Sequence, residues 1–134
     1  MLTVLAFATC IGAGLVGGVF FAFSTFVMKA LAQLPAREGV AAMQRINIVV
    51  LNLLFLCLFM GTAVLAAGCA IASFAPWSAS RSPLLLAAGL LYLVGTFLVT
   101  MAFNVPRNDR LATLANESQE AAAYWPVYVR EWSA

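Results

Sequence analysis

Long uncharged runs alternate with short polar stretches along this chain of 134 residues. No charged residue occurs over 2–28 or over 46–75, and a third uncharged run covers 84–105. With a rise of about 1.5 Å per residue, a helix made from each run would cross the roughly 30 Å hydrocarbon core of a bilayer. We therefore predict three transmembrane helices over these ranges, followed by an amphipathic tail over 106–134.

The polar stretch before the second run begins with a helix-start signal. Pro35 breaks the first helix and suits the first turn of a new one. No glycine or proline separates this stretch from the apolar run where they join at Arg45. We therefore expect one helix to continue without interruption into the second span. On such a helix Arg45 and Asn52 share a face, because seven residues are close to two turns.

Two proline-containing stretches frame the third run. The residues over 76–83 predict a short turn, which makes the third helix antiparallel to the second. Val105 precedes Pro106, and a residue before proline disfavours the helical conformation, so the third helix is expected to end or kink near Val105. The predicted fold is an all-α membrane protein, an antiparallel bundle of three spans within a single domain over 1–134.

The tail carries a regular aromatic pattern. Trp125, Tyr128 and Trp132 recur at i, i+3 and i+7, which predicts an aromatic stripe on one face of an amphipathic helix. Because Trp and Tyr favour the headgroup layer, this helix is expected to lie at the membrane interface or to lead into another span.

Composition supports the membrane assignment and excludes several classes of function. The chain is 64% hydrophobic and 9% charged with a mean hydropathy of +1.00, whereas soluble domains carry about 25% charged residues. The net charge of +2 is too small to favour a nucleic-acid partner. The absence of histidine argues against a haem, zinc or di-iron site held by this chain alone. The three cysteines lie in apolar runs and are interpreted as small buried hydrophobic residues.

The basic residues predict an orientation in the membrane. Six of the seven basic residues lie in the first connection or after the third run: Lys29, Arg37, Arg45, Arg107, Arg110 and Arg130. The seventh, Arg81, lies in the other connection. By the positive-inside rule the first connection and the tail are cytoplasmic and the N-terminus is outside. We expect an integral protein of a bacterial inner membrane. Its expected partners are lipid and either a second copy of itself or a larger membrane complex.

The few polar side chains of the spans gather at one predicted end of the bundle. Antiparallel neighbours bring the start of the second span to the end of the third, so the candidate site consists of Arg45, Asn47, Asn52, Asn104, Arg107, Asn108 and Asp109. Such side chains turn inward, because an arginine at the bilayer centre costs about 2.5–3.5 kcal/mol. Simpler roles stay open: snorkelling for the arginines, capping for Asn104, an interhelical hydrogen bond for Asn52 and membrane anchoring for the aromatic stripe.

Four blocks, in this order and spacing, resemble a known family. They cover 21–31, 44–47, 104–109 and 125–132, and together they resemble the anthrone oxygenase-like family of small integral membrane proteins. Most bacterial members have no assigned function. The resemblance implies a four-helix membrane bundle whose fourth span follows the final tryptophan, whereas this sequence ends at Ala134. Characterised members oxidise polyketide anthrones to anthraquinones with O2, without a metal or organic cofactor, and the resemblance implies the same chemistry here.

Such chemistry requires a site that stabilises the anion formed when the anthrone CH2 group loses a proton. Under this hypothesis Arg45 and Arg107 supply positive charge. The amide donors are Asn47, Asn104 and Asn108, and Asp109 is the base. The substrate would contact Asn52, Trp125, Tyr128 and Trp132. The main rival interpretation is a non-catalytic accessory subunit of a larger membrane complex. A small-molecule transporter is disfavoured, because three spans leave little room for inverted repeats.

Overall fold

The computed structural model describes residues 2–74 and 82–133, with the side chain of Ser133 excepted. Within these residues the chain is helical and forms no strand: α1 covers Leu2–Leu31, α2 Ala36–Val49, α3 Leu53–Ala72, α4 Ser82–Thr113 and α5 Gln119–Ser133. Three of these helices, α1, α3 and α4, are long and apolar enough to cross a membrane. The predicted all-α membrane fold with three spans is therefore confirmed. The predicted turn falls at 76–81 outside the described residues, together with Trp77 and Arg81.

The polar helix α2 does not continue into the second span. It ends at Val49, and α3 begins at Leu53. Between them the Asn52 side chain donates from Nδ2 to the Val49 carbonyl at 3.0 Å. An asparagine side chain that bonds the backbone in this way competes with the helical hydrogen-bond ladder. The prediction of one uninterrupted helix is therefore wrong, and so is the shared helical face for Arg45 and Asn52.

The third apolar helix does not end at Val105, so the predicted end is wrong, while the alternative of a kink there stays a prediction. Thr100–Asn104 forms a π-helical segment, and Val105–Thr113 continues as α-helix with Pro106 in its first turn. A proline in the first turn of a helical segment costs little, because the N–H that it lacks is not required there. The π-helical turns before it are wider than α-helical turns and change the hydrogen-bond pattern where the segments meet.

The chain divides into two compact units. The apolar unit contains Met1–Gly17 and Leu53–Thr100, and the polar unit contains Gly18–Asn52 and Met101–Ala134. The helices α1 and α4 therefore contribute residues to both. The single domain over 1–134 stays a prediction.

In the apolar unit, α3 packs between α1 and α4 through positions without bulky side chains. Gly12 of α1 lies against Thr62, and a Cβ at Gly89 of α4 would come within 2.6 Å of the Ala66 carbonyl oxygen. Small residues of this kind allow close helix packing in lipid, where packing replaces the hydrophobic effect. Later positions along α3 contact earlier positions along α1 and along α4. The helix α3 is therefore antiparallel to both neighbours, as predicted.

The polar unit has a core of its own, to which α5 contributes most of the aromatic residues. The core consists of Met28, Val40, Met43, Leu111, Ala121, Tyr124, Trp125 and Tyr128. The Ser118 hydroxyl accepts a hydrogen bond from the Ala121 N–H at 3.0 Å, which caps the start of α5. The Gln44 side chain donates to the carbonyls of Leu111 and Leu114, both at 2.8 Å, at the C-terminal end of α4.

Candidate functional site

The buried hydroxyl of Tyr128 is the centre of a polar cluster inside the polar unit. Tyr128 is 0% exposed, and its Oη donates to Asn108 Oδ1 at 2.7 Å. The amide of Asn47 lies beside the same hydroxyl. Trp125 stacks on the Tyr128 ring with centroids 5.7 Å apart and planes 14° from parallel. The structure thus brings together two predicted amide donors and two predicted substrate-binding aromatic residues.

The environment of Tyr128 keeps its hydroxyl protonated. Burial raises the pKa of Tyr128 above its ordinary value, and the charge of nearby Tyr124 acts in the same direction. The Asn47 amide and the positive charge of Arg107 lower that pKa but do not outweigh burial. Tyr128 is therefore a hydrogen-bond donor over the physiological pH range.

Arg107 forms an ion pair that was not foreseen from the sequence. Its Nε lies 3.1 Å from Oε2 of Glu131, and the two side chains are 25% and 40% exposed. Arg107 also lies over the Phe103 ring, 5.6 Å from its centroid. The available sequence signal for Glu131 was its position three residues after Tyr128, which places the two on neighbouring turns of one helical face. An exposed ion pair contributes little to stability, and this pair is only partly shielded.

Three nitrogen donors of the polar unit are buried without an acceptor in the described part of the chain. They are Asn47 Nδ2, Trp125 Nε1 and Trp132 Nε1. The Asn47 amide lies near the Tyr128 hydroxyl and lowers its pKa, but Asn47 Nδ2 has no acceptor among the described residues. A buried donor without a partner costs about 1–3 kcal/mol, so three in one small unit require a physical reason. Hydrogen bonding to oxygen atoms of a bound molecule would provide that reason.

Four other predicted site residues are less enclosed than Tyr128. Arg45 and Asp109 are exposed, and Asn52 is exposed at the break between α2 and α3. Asn104 is half-buried at the end of the π-helical segment. The site roles predicted for these four residues stay predictions.

The aromatic stripe of α5 faces the core of the polar unit. Trp125 and Tyr128 are buried, and Trp132 packs against Phe20 and Phe23 of α1 with centroids 6.3 and 5.2 Å away. This face is therefore not the one that α5 presents to its surroundings. Anchoring in the headgroup layer does not describe Trp125 or Tyr128, because their rings are already enclosed by protein.

The apolar unit contains a cavity of about 460 Å³ that holds none of the predicted site residues. Its walls come mainly from α1 and α4, with Cys69 contributed by α3. The hydroxyls of Thr9 and Tyr92 in these walls already donate to the carbonyls of Leu5 and Phe59, at 2.8 and 2.9 Å. In the described residues no three Cys, Asp or Glu side chains are grouped so that they could hold a metal ion.

Comparison with known proteins identifies the family. Searches of curated proteins and of solved structures gave no significant match. The family model described as anthrone oxygenase matches residues 53–134, which is more than half of the chain. The matched region contains α3, α4 and α5, and with them Arg107, Asn108, Tyr128 and Glu131. The chain belongs to the anthrone oxygenase family.

Proposed function

We propose that this membrane protein is an oxygenase that converts an anthrone-like aromatic to the corresponding quinone with O2. The observation that carries the proposal is a set of three buried donors that have no acceptor within the described ranges 2–74 and 82–133: Asn47 Nδ2, Trp125 Nε1 and Trp132 Nε1. An anthrone carries a ring carbonyl, and that oxygen becomes an oxyanion when the CH2 group opposite it is deprotonated. Donors that are fixed before the reaction stabilise such a charge without reorganisation.

A flat substrate would contact the polar unit at Trp132, which is partly buried, because Trp125 and Tyr128 are enclosed by protein. Trp125 and Tyr128 form a nearly parallel stack, and Trp132 adds a second indole two turns further along α5. Aromatic rings gain about 0.5–1.5 kcal/mol from stacked or edge contacts beyond their area burial. Once the anion has formed, it is rich enough in electrons to reduce O2 directly. The proposal therefore assigns the protein the tasks of deprotonation, oxyanion stabilisation and orientation.

The test replaces the Asn47 donor with an acceptor of nearly the same shape. Asn47→Asp places a carboxylate where the oxyanion needs an N–H, and Asn116→Asp makes the same change in the connection after α4. Purified variants are supplied with unsubstituted anthrone, and O2 uptake and quinone formation are measured. We expect Asn47→Asp to lower turnover about 10²–10³-fold, as loss of one oxyanion donor does. Asn116→Asp should retain full turnover. Wild-type protein that consumes no O2 with anthrone contradicts the proposal.

We also propose the orientation with the N-terminus outside and the α1–α2 connection and tail in the cytoplasm of a bacterial inner membrane. The bias of basic residues supports this orientation. In a cysteine-free background, Asn116→Cys should react with an impermeant maleimide in inverted vesicles and not in intact cells. The opposite pattern of labelling contradicts the orientation.

A second candidate function is that of an accessory subunit in a homo-oligomer or a larger membrane complex. The cavity of the apolar unit favours it, because Ala6, Ala13 and Gly14 leave one wall free of bulky side chains. A protein that co-purifies in fixed stoichiometry in mild detergent, together with no anthrone oxidation, supports the subunit role. Oxidation by the isolated chain supports the oxygenase.

A further inference from the structure

Glu131 differs from the other acidic residues in its surroundings. The chain has five acidic residues, all within the described residues. Four of them are exposed: Glu38, Asp109, Glu117 and Glu120. Glu131 is partly buried and held by Arg107 at 3.1 Å. It lies three residues after Tyr128 on α5 and directly before Trp132, whose indole N–H has no acceptor in the described part of the chain. Glu131 is therefore the carboxylate that the fold brings to the polar cluster.

We propose that Glu131 is the base that removes the proton from the CH2 group of the anthrone-like substrate. This inference rests on the proposed function and replaces Asp109 in that role, because Asp109 is exposed. Arg107 contacts one carboxylate oxygen, Oε2, and thereby fixes the direction of the carboxylate. A carboxylate has lone pairs on both oxygens, so Oε1 is the oxygen that accepts the proton.

The reaction balances with O2 as the oxidant. The C–H bond breaks, the proton moves to Glu131, and the electron pair delocalises onto the carbonyl oxygen of the substrate. The carbanion then bonds to O2, and the terminal oxygen takes the proton back, giving a hydroperoxide. Glu131 then removes the second proton from the same carbon, the O–O bond breaks with loss of hydroxide, and the hydroxide takes this proton from Glu131 to become water. Water leaves and a carbonyl forms, so the carbon is oxidised and O2 is reduced, with one oxygen atom in each product.

Among the described residues, Arg107 on α4 contacts the Glu131 carboxylate, and Tyr128 lies one turn earlier on the same helix as Glu131. Arg110 on α4 lies over the Tyr124 ring of α5, 4.2 Å from its centroid. Lys29, Arg45, Asp109 and Arg130 are exposed, the last directly before Glu131. The ion pair with Arg107 therefore holds the carboxylate of Glu131 in place beside the polar cluster.

The experiment separates proton removal from reaction with O2. Under anaerobic conditions in D2O, a base exchanges the CH2 protons of unsubstituted anthrone for deuterium, which NMR measures. Glu131→Gln in the full chain should lose about 10²–10⁴-fold in this exchange and equally in aerobic oxidation. The matched control Glu120→Gln removes an exposed glutamate from the first turn of the same helix and should retain both activities.

If Glu131 is the base, Glu131→Gly should regain exchange when formate is added, in proportion to formate concentration, because the small carboxylate replaces the missing base. If Glu131 has a purely structural role as the counter-ion of Arg107, formate should not restore exchange. Rescue also shows that the variant is folded. Glu131→Gln that exchanges and oxidises like wild type overturns the assignment of Glu131 alone, and so does Glu131→Gly without formate rescue. Wild-type protein that neither exchanges nor oxidises anthrone overturns the proposed function as well.

Discussion

The close approach of α2 to α5 at Gly39 allows a sharp test of the polar unit. A Cβ at Gly39 would lie 2.6, 2.7 and 2.9 Å from three atoms of the Trp125 indole. Carbon atoms in contact normally lie about 3.5–4.0 Å apart, so Gly39→Ala requires the ring or the helix to shift by about 1 Å. Trp125 has little freedom to move, because it is 4% exposed and stacked on Tyr128.

Two opposing terms set the size of the effect. Overpacking of a core costs about 1–3 kcal/mol, and the enclosed ring argues for the upper end of that range. Alanine gains about 1 kcal/mol over glycine in a helix interior. We therefore expect Gly39→Ala to lower the free energy of unfolding by about 2 kcal/mol. The matched control is Gly18→Ala, because nothing lies within 4 Å of a Cβ at Gly18. This control should be neutral or slightly stabilising.

The assay is reversible unfolding of both variants in the same detergent, with helix content followed by circular dichroism. The expected result is a difference in sign between the two substitutions, which share the same change in helix propensity. If Gly39→Ala is as stable as Gly18→Ala, Trp125 does not lie against α2. The polar unit would then have a core that does not include the contact of Trp125 with α2.

Three further predictions concern single contacts. Gln44→Ala should cost about 1–2 kcal/mol of unfolding free energy, because two helix-end carbonyls lose their donor, and hydrogen exchange at the end of α4 should accelerate. Gly89→Ala should destabilise the apolar unit by about 1–3 kcal/mol in thermal unfolding, since its Cβ meets the Ala66 backbone, while Gly68→Ala meets only a leucine side chain at 3.6 Å and should be tolerated. Burial raises the pKa of Tyr128, so above pH ~10 the unfolded chain loses the hydroxyl proton before the folded chain does. The contribution of Tyr128 to stability is therefore complete below pH ~10 and declines as the pH rises further. Tyr128→Phe should remove that part of the pH dependence in unfolding measured at several pH values.

The spans were predictable because crossing a bilayer imposes length and apolarity on contiguous sequence. The exceptions have local causes that hydropathy does not contain. The Asn52 side chain donates a hydrogen bond to the Val49 carbonyl where α2 ends, although no proline or glycine is present at that point to end a helix. At Pro106 a change from π-helix to α-helix places the proline in a first turn, where its missing N–H is harmless. Both outcomes depend on hydrogen bonds between specific atoms.

The candidate site was predictable only in part. The structure places Asn47, Arg107 and Asn108 near Tyr128, and their predicted roles stay predictions. The ion pair of Arg107 with Glu131 was missed because it depends on how α5 packs against α4, which the spacing of Glu131 from Tyr128 along α5 does not determine. The stripe of Trp125, Tyr128 and Trp132 was predicted to lie at the membrane interface or to lead into another span, because Trp and Tyr favour the headgroup layer. Its burial reflects tertiary packing, which overrides the interfacial preference of single residues.

The hydrogen bonds that connect α2 to the end of α4 come from Gln44, an uncharged side chain. At 0.1 M ionic strength, dissolved ions largely screen the interaction between exposed charges that are more than about 10 Å apart. They scarcely affect an amide that is hydrogen-bonded to carbonyls. Anionic phospholipids likewise attract arginines but do not compete for the hydrogen bonds of Gln44. Changes in salt or in lipid composition should therefore alter the surroundings of Arg37 and Arg45 and leave α2 bonded to the C-terminal end of α4.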